Sequence, residues 1–164
     1  MSRGDSEFWG DPGNLNDALA ERARRTAAFI PRGARVLDLG CGAMTLEKAL
    51  PEGCVYIPSD LVRRDERTLV CDYAAGAFPD LTSVGGPPDR VVALGVMEYM
   101  PRPARFLAGL ARYGRPVLLS YCAVDFTPEF DREARRWVNH LTLRELREAA
   151  EAAGFEVIGE TRLD

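Results

Sequence analysis

One histidine, His140, and four cysteines, Cys41, Cys54, Cys71 and Cys122, none of them in a C-x-x-C pair, leave little from which to build a metal centre. Zinc sites draw on closely spaced cysteines and histidines, so no metal is expected. Each cysteine instead sits in or beside an apolar run, which suits a buried thiol in a reducing compartment. Lysine is nearly absent as well: Lys48 stands alone among 21 basic residues, and the arginines are scattered rather than clustered. With a formal net charge of -4 the chain has no general attraction for a polyanion, and nucleic acid is not expected as a partner. No run of about 18 apolar residues is present to span a bilayer, and the opening MSRGDSEFWG lacks the apolar core of a signal peptide. A soluble, cytoplasmic protein without membrane association is the expectation. Neither an internal repeat nor a low-complexity stretch is evident.

What is present is apolar enough to pack. A chain of 164 residues with 46% hydrophobic content is sized for one domain, residues 1–164, and buries most of the surface that it exposes when unfolded. Residues 1–13 are polar and contain Gly and Pro, except for Phe8 and Trp9. This leader is read as flexible, its two aromatics serving either as a lid over a ligand crevice or as a pin to the core.

The stretch ARVLDLGCGAMTLEKAL, Ala34 to Leu50, organises the rest. Val36, Leu37 and Leu39 have too few polar neighbours for a half-exposed strand, which predicts a central parallel strand buried on both faces. Asp38 within it is costly to bury without a compensating partner, and a ligand ammonium is one candidate. Gly40 and Gly42 permit a sharp turn and a close ligand approach, and a helix is predicted to begin near Ala43, at the crevice outside the strand ends.

These residues, VLDLGCGAM, resemble motif I of the class I S-adenosylmethionine-dependent methyltransferases, (V/I)LD(L/V)GCGxG, with Met44 in place of the usual third glycine. A nicotinamide-dinucleotide fingerprint fits worse, because GxGxxG from Gly40 would need glycine or alanine at Thr45 and an apolar residue at Asp38.

Elsewhere the pattern alternates between helix and strand. A helix from Asn14 to Ile30 is predicted from a capping asparagine and the stripe Leu15, Ala18, Leu19, Ala23, Ala27 and Ile30, stopped by Pro31. Cys54 to Pro58 forms the second strand and leads to Ser59, Asp60 and Leu61, where an acidic residue accepts hydrogen bonds from ribose hydroxyls in doubly wound folds. Arg67 to Cys71 forms the third. The Asp72 and Tyr73 that follow resemble the family position at the adenine ring. Residues 74–88 are too rich in Gly and Pro for a full helix. Asp89 to Leu94 forms the fourth strand. The residues after it, Gly95, Val96, Met97, Glu98 and Tyr99, resemble motif IV, whose turn faces the substrate, with Tyr99 where histidine is frequent. Tyrosine, with a reference pKa near 10, is a poor base, so substrate orientation is its expected role.

Ala104 to Tyr113 is predicted as a helix, Pro116 to Tyr121 as a fifth strand, and Thr142 to Ala153 as a helix with a T-x-x-E capping box, closed by Gly154. Phe155 to Ile158 is predicted as a sixth strand. Residues 122–141, carrying Phe126, Phe130, Trp137 and His140, match in position the insertion that builds part of the acceptor pocket in the family. His140 is the one side chain able to titrate near neutrality.

The fold expectation is therefore α/β, a doubly wound, mainly parallel open sheet of order near 3-2-1-4-5-6 flanked by helices. The antiparallel strand that usually closes the family's sheet has only Gly159 to Asp164 left to form it. A truncated sequence, a shorter sheet or a second copy covering the edge would each account for this, and an uncovered edge favours a homodimer. The resemblance implies an enzyme with S-adenosylmethionine as cofactor that methylates a small-molecule substrate. Its cofactor site would comprise Asp38, Gly40, Cys41, Gly42, Asp60, Leu61, Asp72, Tyr73, Gly95 and Val96, and its catalytic candidates would be Tyr99, His140 and Glu98. The alternative is a member of the same fold that has lost activity and serves as a binding or assembly partner.

Overall fold

The computed structural model describes residues 3–11 and 18–162. The predicted helix start at Asn14, with Leu15, lies outside them. The described chain runs through α1 (Arg3–Gly10), α2 (Ala18–Ala27), β1 (Arg35–Leu39), α3 (Thr45–Ala49), β2 (Val55–Asp60), β3 (Leu69–Val70), β4 (Arg90–Leu94), α4 (Pro103–Ala111), β5 (Val117–Ser120) and α5 (Leu143–Ala152). Two single 3-10 turns, Thr82–Val84 and Met97–Tyr99, flank β4.

The sheet has five strands in the order β3-β2-β1-β4-β5, and every neighbouring pair is parallel. β1 is central, pairing Val36 with Tyr56 on one side and with Arg90 on the other. Its apolar side chains alternate between two cores, as the period of a strand requires. Leu37 and Leu39 join Ile57, Val91, Ala93 and the α4 residues Phe106, Leu107 and Leu110 on one face. Val36 joins Val92, the α2 side chains Ala23 and Ala27, Ile30, and Leu46 of α3 on the other. Asp38, two residues from Val36, is directed to that second face. The strand order reverses between β1 and β4, and a crevice outside the carboxyl ends of strands at such a point is where doubly wound folds bind ligands.

The doubly wound parallel sheet is as expected, with two differences in its elements. Phe155 to Ile158 forms no strand. Beyond Gly154, whose φ is 90°, Glu160 pairs with Arg147 of α5 and the Arg162 carbonyl accepts from Arg25 of α2. The segment is thus held by helix side chains rather than by a sheet ladder, and Ile158 is left 89% exposed. The leader, in turn, contains a helix over Arg3–Gly10, where composition predicts a flexible chain. An isolated helix of eight residues is too short to persist in water, but tertiary contacts at Phe8 and Trp9 hold this one in place.

Lesser shifts have local causes. β3 is cut to two residues because Thr68 and Asp65 close a turn immediately before it, the Thr68 hydroxyl accepting from the amides of Arg64 and Asp65. α3 starts at Thr45 rather than Ala43, since Met44 takes φ 54° and ψ 35°. The capping box at α5 forms as predicted: Glu145 N donates to Thr142 Oγ1 at 3.2 Å and Thr142 N to Glu145 Oε2 at 2.8 Å.

Candidate functional site

The turn after β1 is built from three successive left-handed positions at alternate residues, Gly40 (φ 74°), Gly42 (φ 51°) and Met44 (φ 54°). A side chain at Gly40 would collide with Val96 as well as strain the backbone, so only glycine lets the β4 end pack against the β1 turn. The amides of Gly40 and Cys41 both donate to the Ser59 carbonyl, at 2.8 and 3.0 Å, and Gly42 N donates to Asp60 Oδ2 at 2.8 Å. The turn is thereby tied to the end of β2 by three bonds.

Asp60 is 5% exposed and works on both sides. Its Oδ2 holds Gly42, with Cys41 Sγ 3.9 Å away. Its Oδ1 accepts from Val62 N at 3.1 Å and from Arg64 Nη2 at 3.3 Å. Leu61, next in sequence, is half-buried. The carboxylate predicted to meet ribose hydroxyls thus stands at the strand ends beside the glycine turn.

Asp38 is 3% exposed and accepts from Tyr56 Oη at 2.6 Å. Burial raises its pKa to about 7, the Tyr56 hydrogen bond opposing this. Across the β1–β4 boundary, Glu98 is 1% exposed. Its Oε1 accepts from Cys122 N at 3.0 Å, while Oε2 has no partner among the described residues, and burial raises its pKa. Between these acids lies Arg22 of α2. Its Nη2 donates to the Leu94 carbonyl at 3.2 Å, and its guanidinium covers Gly95, where a Cβ would come within 2.7 Å of Nη1. Burial lowers the pKa of Arg22, with Glu98 and Asp38 among the charges acting against that, and its Nε has no partner among the described residues.

Gly95 N donates to Ser120 Oγ at 3.0 Å, and Val96 is buried against Gly40. Tyr99 follows on the 3-10 turn, half-buried, its hydroxyl accepting from Trp137 Nε1 at 2.9 Å. Burial pushes its pKa up to about 12, away from what a base at neutral pH requires. The insertion after β5 is stitched onto this turn: Val138 N donates to the Glu98 carbonyl, and the buried Asn139 side chain donates to the carbonyls of Met97 and Met100. Trp137 also lines a cavity of about 420 Å³ with Glu133, Arg136, Val138 and His140. His140 is exposed, and its Nδ1 accepts from Arg132 Nε at 3.1 Å.

Most of the predicted cofactor residues, Asp38, Gly40, Cys41, Gly42, Asp60, Leu61, Gly95 and Val96, gather at the ends of β1, β2 and β4. The other two, Asp72 and Tyr73, make contacts of their own. Tyr73 is a core residue, its ring against Phe78 and Phe106 and its hydroxyl donating to Ser59 Oγ at 2.6 Å. Asp72 accepts from Ala75 N at 3.1 Å within its own turn. Of the catalytic candidates, Tyr99 lies on the β4 turn, Glu98 staples that turn to the end of β5, and His140 stands beyond Trp137. Sequence reasoning missed Arg22 and Arg64. The spacing of Arg64 four residues after Asp60 is a signal for it. Arg22 is flagged only by its place beside the apolar stripe of α2.

The methyltransferase domain family matches residues 13–160. Two curated relatives are both ubiquinone biosynthesis O-methyltransferases. The chain is 26% identical to that of Azorhizobium caulinodans over 77% of its own length and 60% of the relative's. It is 30% identical to that of Maricaulis maris over 68% of its own length and 48% of the relative's. The chain therefore spans about half to three-fifths of these relatives. Among solved structures, the complex of the Haloferax volcanii Trm112 methyltransferase activator with a putative methyltransferase aligns with a TM-score of 0.71 at 20% identity, covering 94% of this chain and 77% of the other.

Proposed function

Because this chain belongs to the class I S-adenosylmethionine-dependent methyltransferases, we propose that it transfers the methyl group of S-adenosylmethionine to an oxygen of a small-molecule acceptor. The oxygen follows the activity named for both curated relatives. The observation that carries the reading is the strand-end arrangement: a glycine turn tied to Asp60, with buried Arg22 and two buried acids beside it.

The cradle suits the cofactor in charge. Asp60 would hold ribose hydroxyls, since a carboxylate accepts from both members of a diol. Arg22, whose Nε lacks a partner among the described residues, would hold the carboxylate of the methionine part, and Asp38 would face its ammonium. Leu61, Cys41 and Val96 supply apolar surface between these polar contacts. S-adenosylmethionine, when bound, supplies a methyl group on a sulfonium centre that needs no further activation.

The chain's remaining task is alignment of the acceptor, which by itself accounts for a large share of the rate in such displacements. Tyr99 is placed for it. Its oxygen already accepts from Trp137, so the hydroxyl proton is available to donate to an acceptor oxygen and orient it, and its high pKa keeps that proton on. No strong base is needed where the acceptor hydroxyl is itself acidic.

Calorimetric titration with S-adenosylmethionine tests the reading. Micromolar binding is expected, and Asp60→Ala should weaken it by about 1–3 kcal/mol. No binding at millimolar cofactor would refute the proposal and favour an inactive member of the fold. Release of S-adenosylhomocysteine on adding catechol or a phenol tests the oxygen acceptor directly.

A further inference from the structure

With a ribose diol bound, Asp60 would be offered more hydrogen bonds than it can accept. A carboxylate has about four acceptor positions. Gly42 N takes one on Oδ2, and Val62 N and Arg64 Nη2 take two on Oδ1. One strong position remains, with Cys41 Sγ beside it at 3.9 Å, whereas a ribose diol brings two donors. One of the present donors has to leave. The amides of Gly42 and Val62 are fixed by their turns. The Arg64 bond is the longest of the three at 3.3 Å, and it comes from a side chain that can rotate away.

The other end of that guanidinium reaches a different part of the molecule. Arg64 Nη1 donates to the Trp9 carbonyl at 2.7 Å, in the last turn of α1. The Arg64 side chain is 11% exposed, and its buried Nε has no partner among the described residues. Trp9 meets the Tyr99 ring edge-on, with centroids 5.0 Å apart and planes at 83°, and Phe8 packs on Trp9 in the same manner at 5.0 Å. Arg136 closes the far side, its guanidinium 4.2 Å above the Phe8 ring. One arginine thus connects the carboxylate at the nucleoside position to the helix that covers the acceptor-facing tyrosine.

We propose that Arg64 is a positioning residue that makes substrate binding ordered, cofactor first. With no diol on Asp60, Arg64 bridges Asp60 to the Trp9 carbonyl and holds α1 over Tyr99. A nucleoside diol displaces the guanidinium from Asp60, the Trp9 carbonyl loses its donor, and α1 is released so that an acceptor reaches Tyr99. The leader is then a cover opened by the cofactor, and Trp9 is part of the acceptor wall. This inference rests on the reading of Asp60 as the acceptor for the ribose hydroxyls.

S-adenosylhomocysteine serves as the probe, added to the full chain carrying Trp137→Phe so that Trp9 is the sole tryptophan. The expected result is a red shift of Trp9 emission on binding, with a matching rise in protease cleavage within residues 3–11. Arg64→Met should bind the probe about three- to tenfold more tightly by calorimetry, because nothing competes for Asp60, and its Trp9 emission should be red-shifted before any addition. Arg64→Lys keeps the charge but has one compact head in place of the fork, and it should fall between. It carries the test if thermal melting shows that Arg64→Met does not fold. Weaker probe binding by the Arg64 variants would make Arg64 a cofactor ligand and overturn the latch, as would a blue shift of Trp9 on binding, which would mean that α1 closes. If the unsubstituted chain binds no S-adenosylhomocysteine at all, the reading of the cofactor site fails first and the latch falls with it.

Discussion

Replacing Asp38 by asparagine tests whether the acid of the central strand is held there at a cost to the fold. The carboxyl is 3% exposed, and burial raises its pKa from 3.8 to about 7, against the pull of Tyr56 and Arg22 and with that of Asp60. A carboxyl whose pKa is higher in the folded chain binds its proton more tightly there. The resulting penalty is absent below about pH 4, grows as the unfolded chain ionises, and is complete once pH passes the folded value. The gap between 3.8 and about 7 corresponds to at most about 4.5 kcal/mol, at about 1.4 kcal/mol per pH unit. An asparagine side chain would keep the shape and an oxygen for the Tyr56 hydroxyl but could not ionise. Asp38→Asn should therefore match the parent protein near pH 4 and exceed it progressively up to pH 8, by a few kcal/mol at most. Urea denaturation followed by circular dichroism, without cofactor, measures the difference at each pH, and groups common to both proteins largely cancel in it. A difference that stays constant from pH 4 to 8, or that moves in favour of aspartate as pH rises, would refute the argument that Asp38 is buried without adequate compensation.

Three further substitutions probe the turn, a cap and the acceptor side. Met44 occupies left-handed space at φ 54°, where a non-glycine residue costs about 1–3 kcal/mol. Met44→Gly removes that strain but frees the unfolded chain by about 0.4–1 kcal/mol and loses the contact of Met44 Sδ with Arg67. Stability in urea should rise by about 0–1 kcal/mol, and a loss would mean that Met44 packs more than it strains. Thr142→Ala breaks both halves of the α5 capping box and should cost about 1 kcal/mol, read as a lower thermal midpoint with the sheet's spectrum intact. Tyr99→Phe should leave S-adenosylhomocysteine affinity unchanged while turnover of a phenolic acceptor falls about tenfold, equivalent to about 1.4 kcal/mol. Equal loss of both would place Tyr99 in the cofactor site instead.

The sheet was legible because burial and periodicity agreed. β1, β2, β4 and β5 fall within or across the predicted runs, since each is a short apolar string closed by Gly, Pro or a charged residue, and parallel strands buried on both faces carry that signature. The α5 boundaries followed from Thr142 and Glu145, a cap whose chemistry is local. Where tertiary contacts decide, the reading failed. Phe155 to Ile158 has the composition of a strand, but pairing depends on where the chain goes next, and Arg147 and Arg25 draw that segment along the helices. The leader is the opposite case. Its composition is that of a loop, and contacts of Phe8 and Trp9 with Arg136, Arg64 and Tyr99 support it as a helix.

The candidate site divides along the same line. A motif reports the backbone that it needs: Gly40 was readable because the approach of Val96 leaves no room for a side chain, and Gly42 because left-handed φ favours glycine. It does not report which side chains from distant elements will share a carboxylate. Nothing local to Asp60 shows that Gly42 reaches it from the β1 turn, although Val62 and Arg64 follow it closely in sequence. Nor does anything local to Arg22 show that Asp38 and Glu98, far apart in sequence, both act on it, which follows from the pairing of β1 with β4. Tyr73, read by motif position at the adenine, has its hydroxyl 2.6 Å from Ser59 Oγ and its ring against two phenylalanines, contacts that its neighbours in sequence do not announce. The charges at the strand ends are thus set by topology. Arg22 moderates the burial of two acids, yet its own Nε and the Oε2 of Glu98 remain unpaired among the described residues. Buried polar atoms are rarely left so without a functional reason, and a zwitterionic ligand end meeting Arg22 and Asp38 would supply one.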